Sequence, residues 1–198
     1  INDQDSVGCT LVHCCAYGSR PEMVVHDQHV TLARHLIALG ADVNVGCGDG
    51  FTPLHELVQK HGEDQAVLDM LSLFLGAGVN VNVRDSEGET PLYCAIYHAR
   101  WDNASTNRTT VITELLRAGA SLDACKGDDP AEDVMHTAEY DMDLAENEDW
   151  LAAKRLVAGV RKYGTYKKYV RAPHRDVLAV RGLAQRGKLS TGDSVLNF

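Results

Sequence analysis

A six-residue segment recurs at nearly even spacing along this chain. Two copies match each other closely, Gly50–His55 and Gly88–Tyr93, and more diverged copies lie at Gly8–His13 and Gly127–Glu132. In the two closely matching copies the glycine favours a turn, the threonine suits a helix N-cap and the proline suits the first helical position. Four helix starts of one kind within 198 residues predict a repeat array rather than a single globular fold.

Each hexamer begins the same predicted unit, which is a short helix, a loop, a second helix and a glycine-led ending. The predicted helices are 11–17 and 30–39, 53–60 and 64–75, 91–98 and 109–118, and finally a helix from Pro130 followed by 148–161. Apolar residues in the second helices recur with helical period. The endings are read as Gly40–Asn44, Gly76–Asn80 and Gly119–Asp123.

The segment Thr52–His55 and the ending Gly40–Asn44 resemble the ankyrin repeat, whose motif is Thr-Pro-Leu-His-x-Ala and whose period is about 33 residues. The prolines of successive hexamers here are 38 and 39 residues apart, and the extra residues fit the helix–helix loops. The resemblance covers about residues 5–160. It implies an all-α ankyrin solenoid of about four repeats, near 5–45, 46–82, 84–124 and 125–161, whose neighbours supply one another's core.

Charge divides the chain at its C-terminal end. Residues 151–198 carry 11 Lys and Arg against 2 Asp and Glu, whereas residues 1–150 carry 8 against 26. We therefore assign residues 1–161 to the repeat domain and 162–198 to a basic C-terminal extension. In that extension Ala172-Pro173 is expected to break the chain, and a helix over 176–186 is expected to cap the last repeat.

The basic side chains of the extension are interleaved with tyrosines and are open to two interpretations. They are Lys162, Lys167, Lys168, Arg171 and Arg175. One interpretation is that they compensate the acidic last repeat and solvate the capping helix. The other is that they contact a partner, which is a protein more readily than single-stranded RNA because the body of the chain is acidic.

No pattern in the sequence points to chemistry. The ankyrin resemblance makes His13 and His55 structural residues that tie a helix start to the adjoining turn. The six cysteines match no zinc spacing, and we interpret them as reduced and mostly buried rather than as the disulfides of a secreted protein. We predict no enzyme activity, metal, cofactor, small-molecule substrate or membrane span, and an intracellular, cytoplasmic location.

The predicted function is a non-catalytic protein-interaction module or scaffold. Its partner would contact the concave face of the first helices and the hairpin tips, at Asp49, Phe51, Arg84, Asp85, Glu87 and Glu89. One alternative is a structural subunit of a large assembly that docks through the basic extension and the open first repeat. Another is an adaptor domain of a larger enzyme such as a ubiquitin ligase or kinase. The first repeat has no capping helix ahead of it, so we expect further protein or a partner there.

Overall fold

A computed structural model describes residues 1–19, 24–59, 65–99, 108–123, 125–126, 130–131, 135 and 147–185. Within these ranges eight helices have defined bounds. They are α1 (Leu11–Tyr17), α2 (Asp27–Ala38), α3 (Pro53–Val58), α4 (Gln65–Gly76), α5 (Pro91–Ala99), α6 (Arg108–Arg117), α7 (Glu148–Tyr163) and α8 (Tyr166–Gln185). The described residues contain isolated bridges but no named strand, which confirms the predicted all-α class.

The first six helices form three successive helix pairs. Each pair packs internally, α1 against α2, α3 against α4 and α5 against α6. The first helices of the pairs also pack side by side, α1 on α3 and α3 on α5, and α2 packs on α4. This is the two-layer stack of a solenoid, in which each repeat contacts its neighbours. We call the three pairs the first, second and third repeats.

The core lies between the two helix layers. On the first helices, Val12, Leu54 and Leu92 stand one residue after the helix start and are buried. On the second helices, Phe74 and Leu115 are fully buried as well. Burying one such side chain stabilises the fold by roughly 1.5–3 kcal/mol.

The helical period of the sequence marks the buried face correctly in α4, where Val67, Leu71 and Phe74 are buried. In α2 the expected face of Leu32, His35, Leu36 and Leu39 is wrong, because only Leu36 of these is buried, together with Val30 and Ala33.

The ending of the second repeat differs from the sequence-based assignment. Gly40 and Gly119, which follow α2 and α6, have φ of +91° and +98°, and the corresponding angle in the second repeat belongs to Gly78, at +81°. Gly76 is still the last residue of α4. The ending is therefore Gly78–Asn82 rather than Gly76–Asn80, because the chain leaves the helix at the glycine that takes a positive φ.

Asparagines at the endings link each repeat to the next. Asn44 Nδ2 donates to the Gly78 carbonyl (3.4 Å), and Asn44 Oδ1 accepts from the Asn80 N–H (2.7 Å). Asn82 forms the equivalent pair with the Gly119 carbonyl (3.1 Å) and the Ser121 N–H (2.8 Å). These bonds satisfy backbone groups in the turns that follow α4 and α6.

The fourth predicted unit is described in part. Ala131 and Met135 are helical and buried, and the Ala131 N–H donates to the Leu122 carbonyl (2.9 Å). The α7 helix joins the third repeat through Asp149, whose carbonyl accepts from Thr109 Oγ1 at 2.9 Å. The remaining residues of the predicted first helix of this unit, 132–134 and 136–137 among them, lie outside the described residues.

The chain divides into two compact units, residues 1–158 and 159–198. In the second unit the expected break at Ala172-Pro173 is wrong, because α8 runs through Pro173 without interruption. A proline inside a helix costs about 3 kcal/mol and removes one backbone hydrogen bond, but the flanking residues are rich in good helix formers. Capping of the last repeat by this helix stays a prediction, and Arg186 and Gly187 lie outside the described residues.

Tyrosines organise the described start of the second unit. The ring of Tyr169 lies 6.3 Å from the rings of both Tyr163 and Tyr166, measured between centroids. A Cβ added at Gly159 would overlap the Tyr169 ring, so the glycine lets α7 and α8 approach closely.

Candidate functional site

A five-residue turn precedes the first helix of each repeat, and we call these turns the hairpin tips. They are Asp5–Cys9, Cys47–Phe51 and Asp85–Glu89, each closed by a bond from the N–H of its first residue to the carbonyl of its last, at 2.9, 2.8 and 3.0 Å. Each tip ends next to the threonine that begins the helix. The hexamer therefore sets both the turn and the helix start.

Neighbouring tips are joined by their backbones. The Gly48 N–H donates to the Val7 carbonyl (2.9 Å), and the Ser86 N–H donates to the Asp49 carbonyl (2.9 Å). Gly50 has φ of +75°, and a Cβ there would lie 3.0 Å from the nitrogen of Ser86. Glycine is required at this position because the tips approach so closely. The three tips consequently form one continuous, preorganised edge.

Buried histidines tie the first and second repeats to the next tip. The Thr52 N–H donates to His55 Nδ1 (3.2 Å), and His55 Nε2 donates to the Glu89 carbonyl (3.1 Å). His13 makes the same bonds in the first repeat, accepting from the Thr10 N–H (3.0 Å) and donating to the carbonyl at position 51 (3.0 Å). The structural role predicted for both histidines is confirmed.

The bonding of these rings requires the neutral imidazole, because Nδ1 accepts while Nε2 donates. Burial lowers the pKa of His55, although the bond to the Glu89 carbonyl and the charge of Asp85 act in the opposite direction. Burial is the largest of these causes, so His55 is uncharged at neutral pH.

In the third repeat, different residues link the helix start to the segment that follows. Tyr93 stands where the histidine would be, and the Thr90 N–H donates instead to the Cys125 carbonyl (2.8 Å). Lys126 lies over the Tyr93 ring, 5.1 Å from its centroid, and forms an ion pair with Glu89 at 2.6 Å. A partly exposed charged cluster here replaces a buried neutral hydrogen bond.

Five of the six predicted tip residues have accessible side chains. Asp49, Arg84 and Glu87 are exposed, whereas Phe51 and Glu89 are half-buried, Phe51 against the His55 ring and Glu89 against Lys126. The basic residues of the extension are also exposed; they are Lys162, Lys167, Lys168, Arg171 and Arg175.

Asp85 differs from the expectation. Its side chain is only 8% exposed, and its Oδ1 accepts from the N–H groups of Glu87 (2.9 Å) and Glu89 (2.8 Å). Its Oδ2 is buried without a hydrogen-bond partner. Asp85 therefore shapes the third tip from inside and does not present a surface for contact, because the neighbouring second tip packs against it at Gly50 and Asp49.

The structure also brings together residues that the sequence did not single out. A depression of about 360 Å³ opens between the first tip and the first helices, and Cys14, Tyr17 and Glu56 line it. Further along the same helix layer, the rings of Tyr93 and Tyr97 stack with centroids 5.8 Å apart. The equivalent helix positions of Tyr17 and Tyr97, seven residues after the threonine, are the signal that would have found them.

The six cysteines have free thiols. Burial raises the pKa of Cys15 to about 11, so its thiol stays protonated at neutral pH. Across the described ranges, no group of three or more His, Cys, Asp and Glu side chains is arranged to hold a metal ion. In the same residues, no helix combines the length and the apolar character needed to cross a bilayer.

The helix pairs, the tips and the buried histidines point to one family. A family model described as ankyrin repeats, in three copies, matches residues 21–124, which is more than half of the chain. The chain belongs to the ankyrin-repeat family. Ankyrin repeats are generally non-enzymatic modules for protein–protein interaction.

Three proteins of different kinds are similar to this ankyrin protein. A putative ankyrin repeat protein of Rickettsia felis is 25% identical over 145 residues, which cover 73% of this chain and 59% of the relative. A probable serine/threonine-protein kinase of Dictyostelium discoideum is 35% identical over 98 residues, covering 50% of this chain and 10% of the kinase. The mouse RelA-associated inhibitor is 34% identical over 116 residues, covering 59% of this chain and 12% of the inhibitor. The chain thus spans between a tenth and about three-fifths of these relatives.

Proposed function

We propose that this ankyrin domain binds a protein partner through its hairpin tips and the adjoining first helices, and that it acts as a scaffold or adaptor without catalysis of its own. The observation that carries the proposal is the joined edge of tips, in which backbone bonds of 2.9 Å connect Gly48 to Val7 and Ser86 to Asp49. A surface that is already ordered loses little conformational entropy on binding.

The accessible part of this surface suits a protein partner. Asp49, Arg84 and Glu87 offer charges of both signs, and Phe51 at the second tip and Tyr97 on α5 offer aromatic area. Interfaces commonly combine a few aromatic anchors with a polar rim. An adaptor works where proteins meet in the cell interior, and free thiols at all six cysteines fit that reducing environment.

The test is affinity capture from native lysate, with the whole chain as bait and mass spectrometry to identify what is retained. Phe51→Ala is expected to weaken capture of a stoichiometric protein by about tenfold, the effect of a moderate interface anchor. Leu39→Ala is the matched control, because Leu39 is a large apolar residue that is 71% exposed on the second-helix layer. Equal capture by both variants would refute this choice of surface.

A second candidate rests on the basic extension. Its five cations are exposed along α7 and α8, so they are available to dock the chain into a larger assembly. Replacing all five by glutamine separates the two candidates. If capture survives this change and is lost with Phe51→Ala, recognition lies at the tips; the reverse result assigns docking to the extension.

The relatives favour an adaptor role within a larger protein. The matching region makes up 10% of the Dictyostelium kinase and 12% of the mouse inhibitor, so ankyrin repeats of this kind are attached there to much longer chains. We infer that any enzymatic activity of such an arrangement belongs to the attached domains or to the captured partner.

A further inference from the structure

Charge is unequal on the two sides of the repeats. Among the described residues, the tips and first helices (1–19, 45–59 and 83–99), together with Lys126, which pairs with Glu87 and Glu89 of the third tip, carry seven acids and two bases, a net charge of −5. The second helices and endings (24–44, 65–82 and 108–123) carry five acids and three bases, a net charge of −2. The two sets are similar in length, so the acidic excess lies on the tip side.

The tip side contains a groove whose walls are mostly apolar. It is the depression of about 360 Å³ at the first tip, with walls from Val7, Cys9, Cys14 and Tyr17. Two carboxylates, Asp5 and Glu56, also line it and come from different repeats. We call this groove the acidic depression. Its shape and charge suit a long aliphatic stem that ends in a cation.

Asp5 is held in position before any partner arrives. Its Oδ1 accepts from the N–H groups of Val7 (3.0 Å) and Cys9 (2.9 Å), the same bonds that Asp85 makes inside the third tip. Asp85 is buried, whereas Asp5 is exposed at the depression. A carboxylate fixed by two backbone donors loses little rotamer entropy when it accepts a charged donor.

The Cys9 thiol, which lines the acidic depression, is uncharged. Burial raises the pKa of Cys9 to about 11, and Cys47, Asp5 and Glu56 raise it further in that order. Cys9 is therefore a neutral thiol at physiological pH.

We propose that the acidic depression binds a lysine or arginine side chain from a basic segment of the partner protein. Asp5 and Glu56 accept from the cationic head, and Val7 and Tyr17 pack against its stem. The inference rests on the proposed function, because it takes the tip side as the recognition surface, and it adds the chemistry of the partner. Opposite charge on the two surfaces would also speed association at low salt.

Random peptides displayed on phage provide the test. They are selected on the whole chain, and enriched sequences are synthesised with a fluorescent label and titrated by anisotropy. Enriched peptides are expected to carry Lys or Arg next to apolar residues. Asp5→Asn and Glu56→Gln are each expected to weaken binding by about tenfold, because each removes one desolvated charge partner without changing shape. Circular dichroism of both variants checks that they are folded.

Asp42→Asn is the matched control. Asp42 is exposed, and its Oδ1 accepts from the Asn44 N–H (2.8 Å) in a turn that belongs to the second-helix side. The substitution therefore removes one charge and keeps the turn bond, just as Asp5→Asn removes one charge and keeps the two turn bonds of Asp5. Affinity is expected to stay unchanged.

Four outcomes would overturn the inference. One is enrichment of acidic or uncharged peptides, and another is equal weakening by Asp42→Asn, which would mean attraction to overall charge. A third is concentration-dependent dimerisation in the ultracentrifuge that Asp5→Asn abolishes, since a second copy would then fill the depression. The fourth is a captured partner that depends on Phe51 but not on Asp5 or Glu56, which leaves the proposed function standing.

Discussion

The second and third repeats begin with nearly the same hexamer but are fastened to their neighbours differently. His55 is buried and neutral, and it bonds both to its own helix start and to the Glu89 carbonyl of the following tip. Tyr93 is half-buried, and the bond that Thr90 needs comes from the Cys125 carbonyl while Lys126 covers the ring. The difference teaches that Thr-Pro sets the helix start, whereas the sixth residue of the hexamer sets only the link to the next repeat.

The largest effect that separates the two repeats is expected from alanine substitution. His55→Ala should lower the free energy of unfolding by about 3 kcal/mol, because it leaves a cavity, removes the partner of the buried Thr52 N–H and takes one of two donors from the Glu89 carbonyl. Tyr93→Ala should cost about 1–2 kcal/mol, because Thr90 keeps its partner at Cys125. Urea unfolding of both variants measures the difference, and equal costs would contradict the distinction.

Acid is expected to act on the histidine link. The folded pKa of His55 lies below its ordinary value of 6.5, so the unfolded chain binds more protons in acid. Stability should therefore be complete above about pH 6.5 and fall as pH decreases below it, by at most about 1.4 kcal/mol per pH unit for one histidine. Thermal melts between neutral pH and pH 5 measure the slope.

His55→Gln is the control for that slope. Glutamine keeps polar atoms at the site but does not titrate, so the dependence on pH should become shallower in this variant. A slope identical to that of the unsubstituted chain would show that other groups account for the loss of stability in acid.

The smallest effect is expected at Lys126. Its side chain is 38% exposed, and exposed ion pairs contribute little, so Lys126→Met should cost no more than about 1 kcal/mol. The loss should shrink at high salt, because salt screens the pairs of this lysine with Glu87 (3.7 Å) and Glu89 (2.6 Å). Denaturant unfolding at two salt concentrations tests both statements. A cost near that of His55→Ala would make the two links energetically equivalent.

Most of the helix pattern was predictable from the sequence. The bounds of α1 match the prediction at both ends, and the helix starts at Pro53 and Pro91 were also predicted correctly. These features depend on local chemistry, which is capping at the start and apolar period along the helix. The repeat signal then determines how successive helix pairs stack.

The errors arose where a local rule had two possible outcomes. Gly76 and Gly78 both suit a helix end, and only the backbone shows that Gly78 takes the positive φ. Pro173 usually ends a helix, but the residues on both sides keep α8 intact. A charged residue at a turn is usually exposed, yet Asp85 is buried where the second tip packs against the third, whereas Asp5 makes the same two turn bonds at the first tip and is exposed.

The candidate site was less predictable than the fold. Phe51, Asp49 and Glu87 could be expected at the tips because each tip is continuous in sequence. The acidic depression joins Asp5 to Glu56, which are 51 residues apart and belong to different repeats. Their meeting depends on the lateral spacing of the tips, which the backbone bond from Gly48 to Val7 sets and no single repeat encodes.

The asparagine links between endings have a consequence for how this protein comes apart. If the second repeat opens, the Gly119 carbonyl and the Ser121 N–H lose their hydrogen bonds to Asn82. Water must then replace these bonds at the exposed edge of the third repeat. Each opening thus weakens an adjacent repeat more than a distant one. Amide exchange should consequently spread from an open repeat to the repeat next to it. Under a mechanical pull, each repeat should unfold after its neighbour has unfolded.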